Sequence, residues 1–316
     1  MPRRDKIMAE AGTDMERRME RIEACPACGG RSFSAFKKAN FSVEDISPED
    51  VMITDKAYGK IWDLDRCTDC THVFANPCPT PDFIQSLYGD IVDPVYQDEA
   101  VGRQKNFERI LKRLEGLRPA KGPLFDVGAA TGILMNMARE RGWEPEGVEP
   151  SSWAVETARD RYDLQVRSGD FETAELPEDR YTAVTMVDFI EHVPDPMTAL
   201  VKAGEILRGD GVLCIVTPDI RSLAARAAGA RWWHYRPAHL AYFTHSSLQT
   251  LLGRAGLKIL KTRRYAWTFS IHYLLTRISL MRFLVKNPRW ASFFGRIPIK
   301  LALGDSFEIY AGKNTS

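Results

Sequence analysis

Four cysteines fall in two close pairs, Cys25-Pro-Ala-Cys28 and Cys67-Thr-Asp-Cys70, and each pair can aim two thiolates at one metal ion. Four thiolates about 2.3 Å from zinc close a tetrahedral shell and leave no open position for a substrate. The chemistry they point to is structural: an ion holding together a module too small to be stable on its own core. Disulfides and an iron–sulfur cluster are the alternatives, and the two-residue spacing suits metal better. Cys78 and Cys214 fall outside the pattern, Cys214 in an apolar strand that reads as packing. His72, just after the second pair, is expected at the surface rather than in the metal shell.

A second group of residues could hold a nucleotide. The run Phe125-Asp126-Val127-Gly128-Ala129-Ala130-Thr131-Gly132 stands where a strand gives way to a helix, and its small residues let backbone approach a ligand while helix N–H groups stay free to bind it. Glu149, seventeen residues beyond Gly132 and at the end of the next strand, is placed to accept hydrogen bonds from both hydroxyls of a ribose. A nicotinamide dinucleotide loop shares these two features but needs G-x-G-x-x-G; the glycines here are Gly128 and Gly132, with the acidic Asp126 just upstream.

Asp126 to Gly132, Gly147-Val148-Glu149-Pro150, Gly169-Asp170-Phe171 and Asp188-Phe189-Ile190-Glu191-His192-Val193-Pro194-Asp195-Pro196 resemble, in order and spacing, the successive motifs of class I S-adenosylmethionine-dependent methyltransferases. The resemblance implies that Gly128, Ala130 and Gly132, with Ala129 in the same turn, line the methionine end of the cofactor and that Asp126 helps to orient it. Glu149, followed by Pro150, would bind the ribose. Asp170 would accept from the adenine amino group with Phe171 against the ring, and Asp188, followed by Phe189, would sit beside the transferring methyl. One departure is Ala130, where many members carry glycine.

Methyl transfer from a sulfonium is an in-line displacement, so the enzyme aligns the reactants and can remove the acceptor's proton. The first candidate base is His192, because an imidazole titrates near neutrality; capping a helix or orienting the substrate is its alternative role. The Glu191-His192 pair resembles quinone-ring O-methyltransferases, some of which use a divalent ion there; no second metal is assigned. A further cluster runs Trp232-Trp233-His234-Tyr235-Arg236-Pro237-Ala238-His239-Leu240-Ala241-Tyr242-Phe243-Thr244. Small-molecule methyltransferases with an N-terminal zinc module, sugar C-methyltransferases included, are similar here and over Cys67 to Tyr96. That similarity makes His239 and Tyr235 candidate acid–base or positioning groups and Trp232 and Trp233 pocket walls; a structural hydrogen bond is the alternative for His239.

The elements that would position these groups follow from pattern. Strand and helix signals alternate from Leu124 to Thr217, which implies a doubly wound, Rossmann-like α/β sheet of seven strands. Residues 1–23 read as an N-terminal arm, 24–81 as a zinc-ribbon-like module, 82–120 as a bridging helical region and 121–316 as the methyltransferase domain. A helical insert is expected over 267–304, between the last two strands. The opening residues MPRRDKIMAE lack the apolar run of an export signal, so a cytoplasmic chain is expected. The net charge of +1 hides a division: Ile220 to Gly304 holds 15 Lys and Arg and no Asp or Glu, leaving 28 basic against 42 acidic residues elsewhere. Such segregation points to something anionic, unless acids of the same chain cover it. The insert could be a lid, lie peripherally on an anionic membrane, or recognise a phosphorylated or lipid-linked acceptor.

The expected function is methyl transfer from S-adenosylmethionine to oxygen or carbon of a small-molecule acceptor: a sugar, a quinone-like ring or a lipid intermediate. The alternatives are an RNA methyltransferase that uses the basic third on nucleic acid, and a catalytically silent binding protein of the same fold.

Overall fold

The computed structural model describes residues 18–52, 54, 58–89, 91–118, 120–277 and 279–314; most of the expected N-terminal arm lies outside them. In chain order the strands are β1 Met19–Glu20, β2 Phe33–Lys37, β3 Leu64–Cys67, β4 Val73–Ala75, β5 Cys78–Pro79, β6 Pro123–Val127, β7 Glu144–Glu149, β8 Arg167–Ser168, β9 Tyr181–Val187, β10 Leu207–Pro218, β11 Ala241–Tyr242, β12 Leu257–Ser270 and β13 Pro298–Lys313.

Seven strands make the main sheet, in the order β12-β13-β10-β9-β6-β7-β8, with β13 antiparallel to both of its neighbours and the other pairings parallel. This is the doubly wound α/β architecture expected from the alternating pattern. Central strands of such a sheet are covered on both faces and so read as continuous apolar runs; β9 is buried from Tyr181 to Met186. On one face, helices Ala100–Leu117 and Ile133–Glu140 contribute Phe107, Ile110, Leu111, Leu114, Ile133 and Leu134 to the core. On the other, helices Pro196–Ile206 and His245–Arg254 contribute Leu200, Ile206, Leu248, Leu251 and Leu252. The chain runs outward through β6, β7 and β8, then returns to place β9 beside β6. That reversal opens a crevice beyond the carboxyl ends of β6 and β9, where open α/β sheets bind ligands.

A four-stranded sheet, β11-β4-β3-β2, carries the second cysteine pair at the end of β3. Its fourth strand comes from the aromatic stretch after β10, so the cysteine-bearing segment is welded to the main domain. Trp62 Nε1 donates to Pro237 O at 2.7 Å, and Arg254 Nη1 to Ala27 O at 3.0 Å across the first cysteine knuckle. Cys25, Ala27, Cys67 and Phe74 are buried in the same core as Leu200 and Leu248.

The insert differs from its expectation. β12 continues to Ser270 and β13 begins at Pro298, so residues at both ends of the expected helical span form a hairpin. Tyr265, Trp267 and Phe269 alternate along one strand face with ring centroids 4.7 and 6.3 Å apart, which is strand periodicity inside an apolar run. Helix is confined to Ile271–Arg277 and Pro288–Gly295, with a 3-10 turn over Ser279–Val285 between them. Because a 3-10 turn has three residues per turn, no single helical face runs through these pieces, and Met281 is exposed. The base of the hairpin is fastened to the body: Glu99 accepts from Ser270 N and Oγ, each at 2.6 Å, and Asn106 pairs with both backbone groups of Thr268.

Candidate active site

The turn after β6 is built on left-handed backbone, with φ of 70° at Gly128, 47° at Ala130 and 76° at Gly132. Glycine takes this conformation freely, whereas the methyl of Ala130 costs on the order of 1 kcal/mol there. Glu149, the last residue of β7, holds the strained residue: Ala130 N donates to Oε2 and Ser151 N to Oε1, both at 2.9 Å. Its carboxylate still has lone pairs free toward the crevice. Burial raises the Glu149 carboxyl above its ordinary range, and the two backbone donors oppose that rise.

A cavity of about 440 Å³ fills the crevice. Of the residues read from the sequence, Gly128, Ala130, Glu149, Pro150, Asp170, Phe171, Asp188, Phe189 and His192 line it. Asp126 lies beneath the turn, with its Oδ1 accepting from Thr185 Oγ1 at 2.6 Å, and burial pushes its carboxyl up to about 7. Asp188 also has positive φ, 51°, at the carboxyl end of β9. Burial lifts it to about 7 against the pull of Arg103 and Arg236.

Other expected residues sit elsewhere. Ala129 packs with Met135, Ala158 and Leu164 on the far side of the turn. Gly132 is a packing glycine, since a Cβ there would stand 2.8 Å from Leu164 Cδ1 and 3.0 Å from Ala158 Cβ. Tyr235 and Trp232 are buried in an aromatic cluster with Tyr242 and do not line the cavity. The reason is the pairing of β11 with β4, which turns this stretch into the core beneath the small sheet. His239 lies behind His192, the ring centroids 4.7 Å apart, with no partner for its Nδ1 among the described residues. His72, expected at the surface, is fully buried between Phe74 and Phe243.

His192 is held by Tyr88, whose hydroxyl is 2.8 Å from Nδ1. Its expected near-neutral titration is not retained: burial, then Arg236, drives the imidazole down to about 3. The groups brought close to neutrality are Asp126 and Asp188 instead. Tyr88 belongs to helix Pro81–Gly89, which spans the crevice and whose Gln85 donates to Asp170 Oδ2 at 2.9 Å. Sequence reasoning gave these two residues no partners; the apolar face of that helix was the one available signal. Glu191, His192 and His239 bring a carboxylate oxygen and two ring nitrogens within 4.8 Å of one another, a donor set of the kind that takes a divalent cation.

The four paired cysteines also converge. Cys25 Sγ is 3.6 Å from Cys70 Sγ and Cys28 Sγ is 3.5 Å from Cys67 Sγ, with all four sulfurs within 4.8 Å. The edge of a tetrahedral zinc–thiolate shell is about 3.8 Å, and a disulfide would need about 2.05 Å. All four are free thiols, and the hydrogen bond from Cys70 pulls Cys25 below its ordinary value, toward the thiolate.

Residues 101–262 match the family model described as "Methyltransferase domain". The chain belongs to that family. Its sheet order, the turn after β6 and the acid ending β7 are those of the class I S-adenosylmethionine-dependent methyltransferase fold. Among its relatives is a ubiquinone biosynthesis O-methyltransferase of Azorhizobium caulinodans, 27% identical over 156 residues, which are 45% of this chain and 62% of that protein. The match thus spans less than two thirds of that relative. Another is the chloroplastic 2-methyl-6-phytyl-1,4-hydroquinone methyltransferase 2 of Oryza sativa, 25% identical over 193 residues, 58% of this chain and 50% of that protein. A solved structure from Thermotoga maritima, a methyltransferase titled a possible histamine N-methyltransferase, is similar at 22% identity and a TM-score of 0.46, covering 69% of this chain and 91% of that one. The RNA alternative draws no support from these relatives. Among the described residues, no helix is long and apolar enough to cross a membrane.

Proposed function

We propose that this methyltransferase acts on an oxygen of a small, apolar aromatic acceptor of the quinol type. The observation that carries the reading is the apolar part of the cavity wall: Val51, Ile84, Ile91, Phe189 and Val193 line the same cavity as Asp188, with the Tyr88–His192 pair as a polar anchor. Such a wall suits a flat apolar ring bearing one or two hydroxyls, whereas a sugar would leave its hydroxyls facing hydrocarbon. The quinone-type substrates in the names of both relatives support the same class.

In this reading Glu149 binds the ribose, Asp170 and Phe171 the adenine, and the turn at Gly128 and Ala130 the methionine end. S-adenosylmethionine, when bound, supplies an electrophilic methyl group. The Tyr88–His192 pair, with His192 neutral at physiological pH, hydrogen-bonds the acceptor hydroxyl and orients it, and His239 packs on the His192 ring from behind. Asp188, titrating near 7, is the group able to take up a proton close to neutrality. Zinc fills the four-cysteine shell and acts only through structure.

The test is labelled methyl transfer from S-adenosylmethionine to a panel of catechols, demethylated quinols and sugar nucleotides. Label on phenolic oxygen, with turnover reduced by about 10²-fold or more in His192→Ala while cofactor affinity holds, is the expected result. Label on sugar nucleotides and none on the aromatic acceptors would refute it.

A further inference from the structure

The β12–β13 hairpin ends in a tip that carries exposed apolar side chains among the described residues. Met281, Phe283, Trp290 and Phe293 are 40%, 64%, 55% and 54% exposed, four large apolar side chains within thirteen residues. Scattered single apolar residues on a surface need no explanation, but a cluster of this kind marks a contact. The helix Pro288–Gly295 that presents two of them is well formed, with Asn287 Oδ1 accepting from Arg289 N at 2.9 Å and the Trp290 ring stacked on Phe294 at 5.8 Å.

Charge says what the contact is. Lys286, Arg289 and Arg296 are exposed on the same tip, and none has a carboxylate partner among the described residues. They belong to the stretch from Ile220 to Gly304 that holds 15 basic residues and no acid. An apolar protein partner would be met by a polar rim of mixed sign. Exposed aromatic and aliphatic side chains on a segment that carries cations and no acid are what sits at the headgroup boundary of an anionic bilayer, rings at the acyl edge and ammonium and guanidinium groups among the phosphates.

We propose that the hairpin tip docks this enzyme peripherally on anionic lipid bilayers. Phe283, Trp290 and Phe293 insert, and Lys286, Arg289 and Arg296 pair with lipid phosphates. The hairpin base is bolted to the body through Glu99 and Asn106, so the tip holds the whole enzyme in a set orientation on the surface. Docking needs only the hairpin and is independent of which acceptor the cavity takes.

The experiment is flotation of the full chain with vesicles of phosphatidylcholine alone and of phosphatidylcholine mixed with phosphatidylglycerol. The wild-type protein is expected to rise with the anionic vesicles, to remain largely below with the neutral ones, and to be released by high salt, which screens the attraction. Two variants are run beside it: Phe283→Ser with Trp290→Ser and Phe293→Ser, and Lys286→Glu with Arg289→Glu and Arg296→Glu. Each is expected to lose binding at least tenfold while keeping the melting temperature and cofactor affinity of the wild type. Failure of the wild type to float with anionic vesicles overturns the proposal. So does flotation indifferent to lipid charge and salt, or a wild-type dimer that the serine variant turns into monomers. Should a variant lose its fold, the salt and lipid dependence of the wild type decides alone.

Discussion

One buried carboxyl beneath the proposed cofactor crevice and one in its wall are pushed up to about 7, which makes cofactor affinity a function of pH. Asp126 and Asp188 are raised to that value chiefly by burial. Each must be ionised to favour a sulfonium and an ammonium group, so binding expels whatever protons the empty site holds. Above about pH 8 both are already ionised and affinity should be flat; below 7 each costs about a tenfold loss per pH unit, or about 1.4 kcal/mol. Between about pH 8 and pH 6 the dissociation constant for S-adenosylmethionine should therefore rise about tenfold if one carboxyl is coupled and about a hundredfold if both are. Calorimetry in two buffers of different ionisation enthalpy at pH 7 counts the protons released. Asp126→Asn should weaken binding at the higher pH, change little at the lower one, and remove about half of the slope. Stability is the poorer readout, because raised carboxyls make the empty protein less stable as pH rises from the unfolded carboxylate range toward 7. The depressed His192 and His72 act the other way, costing stability as pH falls below about 6.5. A dissociation constant that stays constant across this range, with no proton released, would refute the reasoning.

Other consequences are direct. Glu149→Ala removes the proposed ribose acceptor and orphans two buried N–H groups, so affinity for the cofactor should fall at least 10²-fold by calorimetry, with a lower melting temperature. Tyr88→Phe should leave cofactor affinity unchanged and lower turnover about tenfold or more, because His192 loses the hydrogen bond that ties it to the covering helix. One zinc per chain should appear in elemental analysis. Because the cysteines share a core with Leu200 and Leu248, chelation should lower the melting temperature of the whole chain in one transition rather than melt a separate module.

Much of this was legible beforehand because it rests on local signals. The alternation of β6 through β10, the turn with its two glycines and the paired cysteines depend on spacing alone, and an acid at each strand end follows from topology. What was not legible depends on which way a side chain faces once distant segments meet. Tyr235 and Trp232 looked like pocket residues by position, yet β11 pairs with β4 and buries them. Ala129 and Gly132 share a turn with Gly128 and Ala130, but Ala129 packs with Met135 and Gly132 lies against Leu164 and Ala158, contacts made with residues distant in sequence. The ends of the insert read as helix because an apolar, aromatic run fits strand and helix periods alike, and the long-range partners that settle it, Asn106 and Glu99, lie far away in sequence. His192 was chosen for an ordinary imidazole titration that burial abolishes.

A single crevice is expected to hold the cofactor. Crystals grown with S-adenosylhomocysteine test it most directly. Adenosyl density is predicted between Glu149 and Phe171, ribose on the Glu149 carboxylate and sulfur toward Asp188. An empty crevice, or the nucleoside bound at another surface of the chain, would contradict it.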